Sequence, residues 1–429
     1  MLHRLDLRGL PADADLIGRL PRPGAAKEPP VAAVQAIVAD VRERGDAAVR
    51  EYTERFDGVT LDDFRVPAAE LEAALAATPP LLREALDTAL ANIGDFHRHQ
   101  LREDARHERD GLVVRELTRP VDRAGLYIPG GRAPLISTVL MTGVPARVAG
   151  VSELVVCSPP GPDGQVVPGI LAAAALAGVD EVYSIGGAQA IAAMAYGTES
   201  IRAVDVIVGP GNIYVALAKQ EVAGAVGIPS SFAGPSEVVV IADDTTPVDF
   251  AAIDVVVQAE HGPDGLAWLI TWSETAADRI AEAVARLVAA SPRRAEIEST
   301  LSDGGYAVLV DGPEQAMAVA NAIAPEHLEL MTADPDALVP LVRHAGAVFT
   351  GAYAPASVGD YVAGPSHVLP TYGSARWAGA LRVDDFLKQI HVVSLDEPTL
   401  ARLAPHVAAI AEAEGLPAHA ESVRLRRPQ

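Results

Sequence analysis

The chain is poor in cysteine and in positive charge, and each scarcity closes off a class of function. A single cysteine, Cys157, among 429 residues allows no intrachain disulfide. It also weakens any thiol-based oxidation of an aldehyde. Cys157 lies in the apolar run Glu153-Leu-Val-Val-Cys-Ser with no basic neighbour to lower its pKa, so it reads as a small core residue. Lys and Arg number 34 against 57 Asp and Glu, for a formal charge of −23. That balance disfavours the clustered cations that nucleic acid or an anionic bilayer requires. No apolar run approaches the roughly 20 residues of a membrane-spanning helix. The opening MLHRLDLRGL has no signal-peptide core. A cytoplasmic location, with neither membrane nor nucleic acid as partner, is the expectation.

What is present is a chain 49% hydrophobic and 21% charged, the composition of a globular protein of roughly two or three domains. Ala32–Tyr52 and Ala68–Arg106 repeat apolar residues at three- and four-residue spacing and predict helices. From Gly125 onward short β-rich runs alternate with Ala-rich stretches: Gly125–Pro129, Glu153–Ser158, Glu181–Gly186, Val204–Gly209 and Glu237–Ala242. That alternation predicts a mostly parallel sheet with helices on its faces. A second α/β region follows, with strands expected at Leu266–Thr271, Tyr306–Val310, His327–Met331 and Gly346–Thr350. Its helices are expected at Pro247–His261, Thr275–Ala289 and Pro313–Ile323. Ser357–Thr371, rich in Gly, Pro and Ser, reads as a loop, and Leu400–Glu412 as a helix.

Three strand ends run into glycines and then a helix: YIPGGRAP, SIGGAQA and IVGPGNIY. Glycine admits close approach of backbone to a ligand, and a helix start favours phosphate. Any one of them is as well explained by a tight turn. Three together, with Tyr127, Gln189 and Asn212 as polar neighbours, point to a nucleotide site.

Four of the eleven histidines have chemically suggestive company; the other seven, His97 among them, read as surface residues. Gln258 and His261 fall three apart on one helix face. Asp360 and His367 share the glycine-rich segment, and His419 follows Glu414-Gly-Leu-Pro-Ala. A carboxylate, imidazoles and a carboxamide suit zinc. Their separation in sequence leaves a helix-capping Asp and surface histidines as the plainer explanation. Glu326 and His327 stand where a loop enters a β-like run. At such a bend both can border one pocket and serve successive proton transfers. A solvent-facing Glu beside a structural His is the alternative.

Over Arg42–Arg424 the sequence closely resembles the histidinol dehydrogenase family. The blocks that carry the resemblance are GLYIPGGRAPLISTVLMTGVPA, SIGGAQAIAAMAYGT, VGPGNIYVALAKQ, AGPSEVVVIAD, QAEH, APEHLEL, VGDYVAGPSHVLPT and EGLPAHAESVRLR. The resemblance implies an α/β fold of two incomplete Rossmann-like domains with parallel-sheet cores and small helical terminal segments. It places an N-terminal segment at 1–24, a first domain at 25–124 and 239–381, a second at 125–238 and a C-terminal segment at 382–429. It implies oxidation of L-histidinol to L-histidine through bound histidinaldehyde, with two NAD⁺ consumed per turnover. It further implies one Zn²⁺ per subunit on Gln258, His261, Asp360 and His419, and NAD contacts at Tyr127, Gln189 and Asn212. Glu326 and His327 become the acid/base residues, and Ser236, His367 and Glu414 line the substrate pocket beside His327 and the zinc ligands. A homodimer is implied in which Glu414 and His419 act across the interface. The competing expectation is a related zinc/NAD dehydrogenase of another small polyol, such as a sulfonated propanediol. A sulfonate would want Arg or Lys where Glu414 stands.

Overall fold

The computed structural model describes residues 1–11, 14–21, 29–130, 134–230, 236–260 and 265–426. A short strand, β1 (His3–Asp6), precedes four helices: α1 (Val31–Arg44), α2 (Asp46–Asp57), α3 (Ala68–Ala76) and α4 (Pro80–Arg98). A hairpin follows, β2 (Ala105–Arg109) and β3 (Leu112–Pro120). Its two-residue turn, Asp110-Gly111, has φ of +50° and +82°, the type I′ geometry that suits the strand twist.

The next stretch alternates strictly: β4 (Arg123–Tyr127), α5 (Ile136–Ala149), β5 (Glu153–Ser158), α6 (Pro168–Leu176), β6 (Glu181–Ser184), α7 (Gly187–Tyr196), β7 (Val206–Val208) and α8 (Ile213–Val222). Its strands form a parallel sheet in the order β6-β5-β4-β7. A second alternating stretch runs β8 (Glu237–Ala242), α9 (Val248–Ala259), β9 (Leu266–Thr271), α10 (Glu274–Ala290), α11 (Arg294–Gly304), β10 (Gly305–Leu309), α12 (Pro313–Ile323), β11 (His327–Met331), β12 (Ala347–Thr350) and α13 (Ala356–Tyr361). These strands and β1 make a parallel sheet in the order β1-β10-β9-β8-β11-β12. The chain closes with β13 (Leu387–Leu395), α14 (Glu397–Ala413) and α15 (Pro417–Arg424). β13 joins the hairpin in an antiparallel sheet, β13-β3-β2.

The parallel strands read as unbroken apolar runs because both of their faces are covered. Alternate residues divide between two cores: Val238, Val240, Ala267 and Leu269 enter one, and Val239, Ile241, Trp268 and Ile270 enter the other. The four-stranded sheet divides likewise, with Leu126, Leu154 and Val156 on one face and Tyr127, Val155 and Cys157 on the other. Cys157 is fully buried, as its apolar setting predicts, and burial pushes its thiol pKa up. Among the described residues no helix is long and apolar enough to cross a membrane.

Four expectations need correction. The helices of 31–98 do not pack with residues 239–381 alone: α1 and α2 bury Val34, Val41 and Val49 on one face of the four-stranded sheet, and Leu71 of α3 with Ile93 of α4 cover the other, where Val368 and Leu381 join them. The amino-terminal segment is not simply helical, since β1 extends the six-stranded sheet, and the carboxyl-terminal segment contributes β13 besides its helices. The second predicted helix breaks at Thr78-Pro79 and ends at Arg98, so Arg106 lies in β2. Ser357–Thr371 is not all loop, because α13 occupies its start.

Candidate active site

Two sheet edges supply the functional side chains. On the four-stranded sheet the chain leaves β4 toward β5 on one side and returns to β7 on the other. The carboxyl ends of β4 and β7 are therefore a topological switch point, where open α/β sheets bind ligands. Tyr127 closes β4. It is buried, its hydroxyl accepts the Gly187 N–H at 3.1 Å, and burial pushes its pKa up to about 12. Gly209 follows β7 at φ +107°, and a Cβ there would collide with the Tyr127 carbonyl, so no other residue fits. Gln189 on α7 is buried with its Oε1 lacking a hydrogen-bond partner among the described residues. Asn212 caps α8, its Oδ1 accepting the N–H groups of Tyr214 (3.0 Å) and Val215 (3.1 Å). The three polar neighbours of the glycine turns thus share one sheet edge. Sequence reasoning missed Lys219 on the same edge. Its ammonium donates to the Gly209 and Ser230 carbonyls, and burial pulls its pKa down to about 7.

The second edge is the amino end of β8 and β11. Glu326 and His327 are both buried there. Glu326 Oε2 accepts the Glu237 N–H at 3.1 Å and stands 3.9 Å from His327 Nδ1. On the other side of the ring, His327 Nε2 is 3.4 Å from Asp360 Oδ1 on α13. Burial disfavours the imidazolium, but the Glu326 and Asp360 carboxylates outweigh it and hold the His327 pKa above the ordinary histidine value. The bend before β11 does bring Glu326 and His327 to one spot, as the loop entry suggested.

His367 ties this edge to the other unit. Its Nδ1 lies 2.9 Å from the Asp360 carbonyl and its Nε2 2.8 Å from Thr138 Oγ1 on α5. A carbonyl only accepts, so Nδ1 carries the hydrogen and Nε2 takes the Thr138 hydroxyl. Ser366 beside it donates to the Met141 carbonyl at 2.9 Å. Ser236 is half-buried at the entrance to β8.

Gln258 sits in the last turn of α9, buried, with its Nε2 unpartnered among the described residues. That nitrogen is a hydrogen donor, and it is the carboxamide oxygen of Gln258 and the half-buried Asp360 carboxylate that are donor types suited to a zinc ion. His261 lies outside the described residues. Glu414 and His419 are exposed on the α14–α15 hairpin, whose own small core is Ala408, Ala411 and Ala420. Among the described residues no three His, Cys, Asp or Glu side chains gather closely enough to hold a metal ion. One surface expectation fails outright: His97 is fully buried, its Nδ1 2.8 Å from the Ile93 carbonyl. Two carboxyls at this edge escaped sequence reasoning, Asp254 on α9 and Glu329 on β11, both buried. Burial, and then the Asp254 charge, push Glu329 up to about 9. The signal was register: Asp254 falls one helical turn before Gln258, and Glu329 two strand positions after His327.

A switch-point glycine edge on one parallel sheet, joined through His367 to a buried imidazole between carboxylates on another, is the architecture of an α/β oxidoreductase. The family model for histidinol dehydrogenase matches residues 20–427. Histidinol dehydrogenase of Parasynechococcus marenigrum (strain WH8102) is 52% identical over 394 residues, covering 92% of this chain and 90% of that protein. The enzyme of Gluconobacter oxydans (strain 621H) is 46% identical over 428 residues, 99% of each chain. The crystal structure of histidinol dehydrogenase from Elizabethkingia anophelis superposes with a TM-score of 0.93 at 36% identity, covering 99% of this chain and 98% of that one. The chain belongs to the histidinol dehydrogenase family.

Proposed function

We propose that the chain oxidises L-histidinol to L-histidine in two successive steps, the last two of histidine biosynthesis, with L-histidinaldehyde held between them. The observation that carries this reading is the buried His327 ring between the Glu326 and Asp360 carboxylates, facing the glycine edge across the His367 bridge. One histidinol, one water and two NAD⁺ give one histidine carboxylate, two NADH and three protons.

Gln258, His261, Asp360 and His419 would hold one zinc ion per subunit. When bound, that ion supplies a Lewis-acidic template for the substrate's nitrogen atoms. His327 accepts the alcohol proton as the carbinol hydride passes to the first NAD⁺. Glu326 then takes a proton from water as the water adds to the aldehyde carbon. His327, having released the first proton to solvent, accepts the gem-diol proton as the second hydride leaves. Burial of Cys157 with its raised thiol pKa leaves water as the nucleophile for this second step. Tyr127, Gln189 and Asn212 line the NAD site. Ser236 and His367 border the substrate, and Glu414 faces its ammonium group.

Exposure of the carboxyl-terminal hairpin supports a homodimer with a shared site. β2 is exposed along its length, and Ile390, Val393 and Ile410 present apolar surface that a second copy would cover. In that arrangement Glu414 and His419 complete the other chain's pocket. A cytoplasmic location fits the acidic chain, in which no helix among the described residues is long and apolar enough to cross a membrane. The test is NADH formed per L-histidinol consumed, with zinc and excess NAD⁺. Two equivalents, lost with a chelator and restored by zinc, are expected. One equivalent would mean that the aldehyde escapes, and none would sink the substrate assignment.

A further inference from the structure

Behind the candidate site lies a contact that the reaction steps leave unused. Asp254 and Glu329 are both buried, and their carboxyls approach each other across the α9–β11 interface. Neither forms an ion pair with Lys, Arg or His among the described residues. Two carboxylates cannot both stay charged in such a space, so one proton lies between them. Burial and the Asp254 charge raise Glu329, which makes Glu329 the donor and Asp254 the acceptor. The other oxygen of Glu329, Oε1, accepts the Ala356 N–H at 3.0 Å and so fastens the first turn of α13. Its Oε2 has no donor of its own among the described residues, as suits an oxygen that carries the shared proton.

Every arm of this contact leads to a site residue. Asp254 precedes Gln258 by four residues, on the same face of α9. Ala356 precedes Asp360 by four residues, one turn along α13. Glu329 follows His327 by two, on the same face of β11. A buried polar pair is a poor source of stability, since an apolar pair of equal volume does as well. What hydrogen bonds add is a fixed distance between the elements that they join.

We propose that Asp254 and Glu329 form a positioning pair that sets the spacing of α9, β11 and α13, and thereby holds Gln258 and Asp360 at the separation zinc requires. The proposal rests on the zinc reading above.

The full-length chain, stripped with a chelator, would be titrated with Zn²⁺ against a chromophoric competitor, and kcat and KM measured on the reloaded protein. Glu329→Gln keeps an oxygen for Ala356 and offers an N–H to Asp254. It is expected to bind zinc within about threefold of the parent and to keep most of kcat. Glu329→Met fills the same space without hydrogen bonds. It is expected to lose zinc affinity by about 10- to 100-fold, the usual effect of removing an outer support, with KM for NAD⁺ unchanged. Asp254→Leu should match it and stands in if Glu329→Met fails to fold. Parental zinc affinity in both apolar variants would overturn the proposal. So would a Glu329→Gln as weak as Glu329→Met, because hydrogen bonding in the right shape would then not suffice. A parent chain that takes up no zinc would sink the zinc reading itself, and the positioning role with it.

Discussion

Two groups of buried charge stand at strand amino ends in this chain, and they are built in opposite ways. In the four-stranded sheet, Arg123 opens β4 and pairs with Glu153 at 2.6 Å and Glu181 at 2.5 Å, the residues that open β5 and β6. The Tyr183 hydroxyl donates to the same Glu181 oxygen at 3.0 Å. Burial alone would raise Glu181, but the Arg123 and Tyr183 hydrogen bonds together with the Arg123 and Arg65 charges outweigh it and hold the carboxyl below its ordinary value. Charge is balanced there, and only the Arg123 Nε among its guanidinium nitrogens is left without a partner. In the six-stranded sheet, His327 opens β11 amid Glu326, Asp360 and, farther in, Asp254 and Glu329. Carboxyls outnumber cations, and the ring nitrogens sit 3.4 and 3.9 Å from oxygen, too far for tight bonds. The first cluster is finished within the chain. The second gathers more carboxyl groups than cations around one buried imidazole, the kind of perturbed electrostatics that marks a candidate site.

The sharpest way to break this comparison is to show that the clusters exchange roles. His327→Asn should lower kcat by about 10³-fold, a typical loss for a general base, while the melting temperature stays within a few degrees. An unfolded variant would place His327 with Arg123 as a structural charge. Glu326→Gln is expected to spare the first hydride transfer and slow the aldehyde step by about 10²-fold or more, read as aldehyde release in single-turnover assays; equal damage to both steps would end the division of labour. Arg123→Met should do the reverse, costing about 2 kcal/mol in urea unfolding because two charged hydrogen bonds are lost while Arg202 and Arg65 still face Glu153 and Glu181, with kcat per folded molecule preserved.

The clusters should also answer pH with opposite signs. Glu181 has a depressed folded pKa, so its contribution is present above its unfolded value near 4.5 and is lost as pH falls through the folded one. Glu329 has a raised folded pKa, so its contribution is complete below 4.5 and drains away as pH climbs toward about 9. Zinc-free Glu329→Gln should therefore gain melting temperature over the parent between pH 5 and 8; parallel curves would mean that the pair does not hold its proton. The smallest effect belongs to the other edge. Asn212→Ala should cost about 1 kcal/mol as a lost helix cap and also raise KM for NAD⁺; a stability loss alone would leave Asn212 as a cap and nothing more.

Much of the fold was legible because the parallel strands are buried on both faces. Runs such as Glu237–Ala242 and Leu266–Thr271 carry no polar interruption, and their observed limits match the predicted ones. The antiparallel sheet was not legible in the same way. β2 reads Ala-Arg-His-Glu-Arg, five exposed residues with no apolar alternation to mark a strand. Its one strong signal, the Asp110-Gly111 turn, lay beyond a helical pattern that ran on to Arg106, into the first two residues of the strand. Within the site, Glu326 and His327 were visible as a polar pair at a strand entrance. Asp254 was not, because a lone carboxylate inside Phe250-Ala-Ala-Ile-Asp-Val-Val-Val resembles a helix surface until its partner on β11 is known. Zinc ligation was suggested by chemistry and resemblance, since Gln258, Asp360 and His419 come from α9, α13 and the exposed hairpin, three elements that no local spacing connects.

The pairing of β1 with β10 has a consequence for the chain as it is made. His3–Asp6 is made some 300 residues before its partner Gly305–Leu309, a wait of about 15–60 s at ordinary elongation rates. The four-stranded unit can collapse early, while the outermost strand of the larger sheet remains unpaired until late in synthesis. Deleting residues 1–7 would turn the fully buried β10 into the sheet's edge and open it to strands of other molecules, whereas β1, largely exposed, already tolerates that position.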